Sequence, residues 1–303
     1  KCRNILAINQ GEFRKMGNKK YEFYDIHSHI LPGIDDGAKD NKESIDMINE
    51  EIAQGCKGII VTPHYYAKTS ISDFRDKRQE AFEKMCQSMD AQGLSKFIPN
   101  ICLGAEVAYY SGMSTDKGLE SLCMGHSEYM LLEMPFSKWS PRVLREVKEL
   151  ISTRNITPII AHIERFLTFN DMATIDQLID QEVVVQVNAG NFTHFGTRRT
   201  GMKLLTNGVM QAIGSDTHNT SSRKPNIGIA LDKIATSGQE DRMLSILENN
   251  SNIYHTAQLY GTGVTQPSDI AMDIVGSKMF EDTREEKKLY MTTDNIEFMN
   301  MKL

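Results

Sequence analysis

Five of the eight histidines, His27, His29, His64, His162 and His218, fall at the carboxyl ends of short apolar runs. Glu106, Glu133 and Asp216 close other such runs, and Asp35 and Asp36 follow His29 in a turn with Gly37. Residues two apart in an extended strand share a face, so His27 and His29 can grip one ion; Asp216 and His218 repeat the spacing. Imidazole and carboxylate without thiolate suit manganese, iron or zinc, and bridging carboxylates can hold more than one ion. Ions held this way acidify a water and neutralise the charge that moves in phosphoryl transfer. Arg165, three residues after His162, and Arg223, five after His218, supply guanidinium groups that can grip a phosphate bidentately.

Cysteine chemistry is excluded by spacing. Cysteine-based phosphatases need a thiolate with an arginine six residues later in a phosphate-cradling loop. The sixth residue after Cys2, Cys56, Cys86, Cys102 and Cys123 is Ile8, Thr62, Gln92, Ala108 and Tyr129. The scattered thiols read as reduced and without a role. Other polar residues read more plainly. Asp35 and Asp36 could simply build a turn. Glu43 is expected to face solvent, and Glu164 to be a surface charge or a support for a ligand. His126, His194 and His255 fall outside the pattern and are expected not to bind metal. Trp139 reads as packing, with a rim loop as the other option.

The elements that must position these residues alternate. Apolar strand runs at 21–27, 58–62, 97–106, 129–134, 157–161, 183–188 and 209–214 are separated by helical patterns. Helices are expected at 42–54, 72–92, 141–154, 171–181, 197–207, 226–236 and 239–249. Ile45, Ile48 and Ile52 share a helix face that stops at Gly55, and Pro141 sits in a first turn. Strand and helix alternating about seven times predicts a parallel sheet covered by helices. A closed or nearly closed βα barrel fits an uninterrupted series, and its active site lies where the carboxyl ends of the strands converge. Residues 1–20 read as a basic arm, 21–262 as the barrel, and 263–303 as an extension of no assigned role.

Composition is ordinary for a globular chain: 303 residues, 40% hydrophobic, 24% charged, net charge -6. Mild acidity with no basic block argues against nucleic acid as a partner. No apolar run reaches the roughly 20 residues that span a bilayer, and the first twenty residues do not read as a signal peptide. The expected location is the cytoplasm.

The string DIHSHILPGIDDGAKDNKES resembles the opening of the bacterial PHP-type tyrosine phosphatases, which accompany tyrosine autokinases in capsule and exopolysaccharide operons. TPH at 62–64, GAE at 104–106, LLEMPF at 131–136, PIIAHIER at 158–165, QVNAG at 186–190 and SDTHN at 215–219 follow in matching order, and the resemblance spans roughly residues 23–260. It implies a distorted seven-unit βα barrel of the PHP type and three divalent metals, usually manganese. It places His27, His29, Glu106 and Asp216 around the first, Glu106, Glu133 and His162 around the second, and Asp36, His64 and His218 around the third. Arg165 and Arg223 would hold the phosphate. A metal-bridging hydroxide would attack phosphorus, with His218 or a water assisting the leaving oxygen. The implied substrate is the phosphotyrosine tail of a bacterial tyrosine kinase. The rival readings are a histidinol-phosphate phosphatase on the same metals, a non-catalytic phosphotyrosine-binding scaffold, and a nuclease.

Overall fold

The computed structural model describes residues 21–259; the expected basic arm at 1–20 and extension at 263–303 lie outside them. Strands and helices alternate as β1 (Phe23–Ser28), α1 (Asn41–Gln54), β2 (Cys56–Val61), β3 (His64–Tyr65), α2 (Ile71–Ala91), β4 (Ile101–Leu103), β5 (Glu106–Ala108), β6 (Tyr129–Glu133), α3 (Pro141–Arg154), β7 (Thr157–Ile160), α4 (Met172–Ile179), β8 (Val184–Asn188), α5 (Gly190–Thr193), α6 (Arg198–Thr206), β9 (Ala212–Gly214), α7 (Ile227–Ala235) and α8 (Glu240–Leu259). Local signals set many of these boundaries. Asp40 caps α1 by accepting from the Glu43 amide at 2.9 Å, while the Glu43 carboxylate accepts from the Lys39 amide at 3.2 Å. Glu43 therefore closes a helix cap, and its side chain, 14% exposed, is largely covered rather than facing water as expected. Ser70, Ser140 and Asp171 cap α2, α3 and α4 in the same way.

Every strand pairing is parallel, in the orders β1-β2-β4 and β3-β5-β6-β7-β8-β9. The two groups are continuous. β2 runs on into β3 across Thr62-Pro63, and β4 into β5 across Gly104-Ala105. Hydrogen bonds bridge both breaks, from the Gly104 amide to the Val61 carbonyl at 2.8 Å and from the Glu106 amide to the Pro63 carbonyl at 3.0 Å. The curled sheet also returns to its start: the Asp216 amide donates to the His27 carbonyl and the His29 amide to the Thr217 carbonyl, each at 2.9 Å. Gly214 permits that approach, because a Cβ there would lie 2.6 Å from the His27 Cβ. The chain is a mixed α/β fold with a curled parallel sheet.

The core has two layers. Phe23, Ile45, Ile48, Val61, Val107 and Leu132 belong to the cluster between sheet and helices. Ile26, Ile60, Leu131, Ile159, Val184 and Ala212 form a second cluster with Ile253, Tyr254 and Ala257 of α8. Helix α8 seats on the amino-terminal side of the strands. Buried Asn250 accepts from the Ile213 amide and donates to the Ile213 and Tyr24 carbonyls. The Tyr254 ring stacks on Tyr24 at 4.4 Å.

Several expected elements differ. Residues 97–100 are the end of a 3-10 helix, not strand; Pro99 lacks the amide a ladder needs. Val209 and Met210 donate their amides back to the Leu204 carbonyl as a helix ending, so β9 starts only at Ala212. Helix α8 continues ten residues past the expected 249, because its contacts with the sheet bury Ile253, Tyr254 and Ala257.

Candidate metal centre

The carboxyl ends of the strands deliver the titratable residues to one place. β1 needs an irregularity to do so. Its register to β2 shifts between Asp25 and Ser28, where three steps on β1 match two on β2. The extra residue lets Ile26 pack with Val184 in the cluster capped by α8, while His27 reaches Gln186, two residues on from Val184. The breaks at Pro63 and at Gly104-Ala105 bring His64 and Glu106 opposite each other in β3 and β5.

Glu106 is the centre of the group. Its Oε2 lies 3.3 Å from His27 Nε2, 3.2 Å from His29 Nε2 and 3.1 Å from His64 Nδ1. Its Oε1 lies 2.8 Å from His162 Nε2, which is also 3.4 Å from Glu133 Oε1. Asp216 Oδ1 lies 3.5 Å from His27 Nε2 and 3.6 Å from His29 Nε2. Exposed Asp36 faces His64 Nε2 at 3.5 Å and His218 Nε2 at 3.3 Å. All nine expected metal-capable residues are thus brought together. Three sets have ligand atoms close enough to share an ion: His29, Asp36, His64 and His218; His27, His29 and Asp216; and His64, Glu106 and Glu133. His126, His194 and His255 stand apart from these sets; His255 instead meets the Tyr24 hydroxyl at 3.1 Å.

The donor set fits divalent cations. His64 Nδ1, Glu106 Oε2 and His218 Nε2 are buried without a hydrogen-bond partner, a costly state for polar atoms unless something else binds them. Two supports fix ring tautomers. Asp35 Oδ2 accepts from His29 Nδ1 at 2.8 Å, and Gln186 Oε1 from His27 Nδ1 at 3.2 Å, so Nε2 of each ring is left for a metal. Gln186 Oε1 also accepts from the His162 amide at 2.7 Å, and its amide donates to Asn188, whose own amide reaches Asp216 at 2.6 Å. Asp35 additionally accepts from the His64 and Gly37 amides, each at 2.9 Å, so it both builds the turn and orients His29.

The electrostatics follow from crowding. Burial would raise the Glu106 carboxyl, but the imidazoles of His27, His162 and His29 crowded around it hold it well below the usual range. Burial would lower His29 and His162, yet their carboxylate partners outweigh it and push them up to about 10 and about 9. His162 and Asp216 also take positive φ values of 33° and 52°, backbone strain of roughly 1–3 kcal/mol each that the surrounding bonds must hold.

Both expected arginines converge on Asp216. Arg223 donates to Oδ1 at 2.6 Å and Arg165 donates to Oδ2, and the two side chains are about one-third exposed (36% and 35%), so each still faces the opening. Glu164 is not a surface charge. It accepts from the Asn191 side chain at 2.7 Å and the Asn188 amide at 3.3 Å, and burial pushes it up to about 6. Trp139 is buried and lines no rim; its indole donates to the Pro135 carbonyl at 3.0 Å. The described cysteines are unpaired, and burial raises the Cys56, Cys102 and Cys123 thiols, against thiolate chemistry.

Sequence reasoning missed Gln186, Asn188 and Asp25. The signal was present for the first two: polar residues two apart inside an apolar strand need a buried partner. Asp25 lies on the other side of β1, where its carboxylate accepts from the His27 amide at 3.1 Å, the Ser215 amide at 3.0 Å and the Ser215 hydroxyl at 2.5 Å. Buried Glu51 of α1 lies against it.

A family described as capsular polysaccharide synthesis, CpsB/CapC, matches residues 23–254. The tyrosine-protein phosphatase CpsB of Streptococcus pneumoniae is 31% identical over 225 residues, covering 70% of this chain and 89% of that protein. The tyrosine-protein phosphatase YwqE of Bacillus subtilis is 26% identical over 205 residues, 66% of this chain and 78% of that protein. A chain from the crystal structures of YwqE and S. pneumoniae CpsB, described as unique metal-dependent tyrosine phosphatases, shares the fold. Its TM-score is 0.68 at 22% identity, covering 77% of this chain and 94% of that one.

Proposed function

We propose, from the premise that this chain belongs to the capsular polysaccharide synthesis CpsB/CapC family, that it removes phosphate from the tyrosine tail of a bacterial autokinase and so governs capsular or extracellular polysaccharide synthesis. It is a metal-dependent protein-tyrosine phosphatase, and its similarity to tyrosine-protein phosphatases supports that activity. The finer reading is ours: three divalent ions, manganese first, held by His27, His29, Asp36, His64, Glu106, Glu133, His162, Asp216 and His218. We also read the curled sheet as the distorted seven-unit barrel of the PHP type. Counting β2/β3 and β4/β5 as single broken strands leaves seven strand lines, and the contacts between β1 and residues 216–217 favour closure. Residues 21–262 are taken as the phosphatase unit. No described helix is long and apolar enough to cross a membrane; we assign the chain to the cytoplasm, where the kinase tail would lie.

The observation that carries the reading is the convergence of nine histidines and carboxylates, with two half-open arginines at their edge. When bound, the ions acidify a water and neutralise phosphoryl charge. The chain's own residues do the rest. Arg165 and Arg223 offer their outward N–H groups to the phosphate oxygens and fix its orientation. Gln186 and Asp35 hold the His27 and His29 rings so that no reorganisation is needed during reaction. His218 counts among the metal ligands, with Nε2 toward Asp36, so water rather than His218 is read as the source of a proton for the leaving oxygen. Phenolate leaves with little help, so the loss is small for phosphotyrosine.

The test is phosphate release from a phosphotyrosine peptide, with histidinol phosphate in parallel. Manganese-dependent turnover of the peptide, abolished by chelator and by His27→Ala, is expected. Turnover of histidinol phosphate alone would keep the metal centre and overturn the substrate.

A further inference from the structure

Among the described residues five large apolar side chains are exposed: Tyr66, Phe136, Phe169, Phe195 and Ile229. Three of them follow site residues closely in the chain. Tyr66 is two after His64, Phe136 three after Glu133, and Phe169 four after Arg165. Scattered exposed apolar residues are ordinary, but a group beside a polar mouth marks a binding surface.

Two of these rings are seated on metal-capable histidines. Tyr66 stacks on His64 at 5.3 Å with 29° between planes, and Phe136 lies over His162 at 6.3 Å with 27°. His64 and His162 in turn approach different oxygens of Glu106, at 3.1 and 2.8 Å. The two rings therefore flank the carboxylate at the centre of the mouth. Phe136 is braced from behind. It packs on buried Phe166 at 5.0 Å, Phe166 on Trp139 at 5.5 Å, and Phe169 meets Phe136 edge-on at 6.3 Å. The Trp139 indole bond to the Pro135 carbonyl pins the loop that carries Phe136. Half of Phe136 (50%) and about half of Tyr66 (48%) stay open to solvent.

We propose that Tyr66 and Phe136 are the walls of an aryl subsite that receives the phenyl ring of the phosphoester while Arg165 and Arg223 hold its phosphate. This rests on the tyrosine-phosphatase reading and deepens it. Aromatic pairs in offset or edge-on contact gain beyond simple burial, whereas an alkyl phosphate between the same walls gains only part of that. The subsite is thus a selectivity device, in which Phe169 acts through Phe136 as a positioning residue.

The test uses the manganese-loaded full chain and three variants, Phe136→Ala, Phe136→Leu and Tyr66→Ala. Phenyl phosphate and propyl phosphate are the substrates, and inorganic phosphate is a competitive inhibitor that reports on the anion site. Each alanine variant is expected to lower the phenyl-to-propyl ratio of kcat/KM by about fivefold to tenfold, through KM, with the phosphate inhibition constant moving less than twofold. Phe136→Leu is expected to recover part of the ratio. An equal loss on both substrates, or a weakened phosphate constant, would assign the rings a structural role and overturn the proposal, as would an unmoved ratio. Failure of the wild-type chain to hydrolyse a phosphotyrosine peptide would sink the parent reading and this one together; peptide turnover with an unmoved ratio sinks this one alone.

Discussion

Two clusters of buried carboxylates lie on opposite faces of β1, and they solve the same problem in opposite ways. At the mouth, Glu106 and Asp216 are surrounded by His27, His29, His162, Arg165 and Arg223, and both carboxyls are held low. Behind the strand, Asp25 and Glu51 face each other beside Ser215, and burial pushes both up, outweighing for Asp25 the bonds from Ser215 and His27 and the charge of His27. The same kind of side chain in the same strand region is thus held low on one face and pushed up on the other. The difference teaches that burial alone does not set the charge of a carboxylate; the neighbours available to compensate it do. The mouth keeps its negative charge and can attract metal ions. The rear pair is shifted toward its protonated form, and Asp25 ties the end of β1 to Ser215 beside the carboxyl end of β9.

The comparison can be broken most severely at the mouth. Glu106→Gln removes the charge that meets four histidines. Turnover of a phosphotyrosine peptide should fall by about a thousandfold or more, and manganese affinity by calorimetry should fall with it, while the fold is retained. If the rear cluster is structural, the reverse pattern holds there. Asp25→Ala orphans the His27 and Ser215 amides and should cost roughly 3 kcal/mol of stability in urea unfolding. Retained stability with lost activity would instead move Asp25 into the catalytic machinery.

The other two changes sharpen the contrast. Gln186→Leu frees the His27 ring without removing a metal-capable group, and should lower activity or metal affinity about 10–100-fold. Glu51→Gln should change the pH dependence of stability. Folded Glu51 holds its proton at pH values where the unfolded chain, near its ordinary value of 4.5, has released it. Its contribution is therefore complete below that value and is lost as pH rises toward the raised folded value, at up to about 1.4 kcal/mol per pH unit. Thermal unfolding of the metal-free wild type should weaken over that window, and Glu51→Gln should flatten the slope. Equal slopes would show that Glu51 ionises freely in the folded chain.

Much of this was legible in the order of residues. Apolar runs ending in His27, His64, Glu106, Glu133, His162 and Asp216 identified both the strands and the mouth, because side-chain direction in a strand is a local, two-residue property. Capping residues Asp40, Ser70, Ser140 and Asp171 sit where the helices begin for equally local reasons. The irregularities were less legible. Residues 97–100 looked apolar enough for a strand, and nothing local announced that α8 would run on to cover the sheet.

By itself, then, the sequence determined which residue types arrive at the strand ends and that they suit divalent cations and a phosphate. Only the tertiary structure decided how they are used. It placed Gln186 and Asp35 behind particular ring nitrogens, set both arginines on Asp216, and turned Glu164 inward toward Asn188 and Asn191. It also put Glu51 against Asp25 across the gap between helix and sheet. The physical reason is range: periodicity and capping act over a few residues, whereas charge state and ring orientation depend on neighbours far away in the chain. The bonds from His27 to Gln186 and from Asp25 to Ser215 link positions 159 and 190 residues apart.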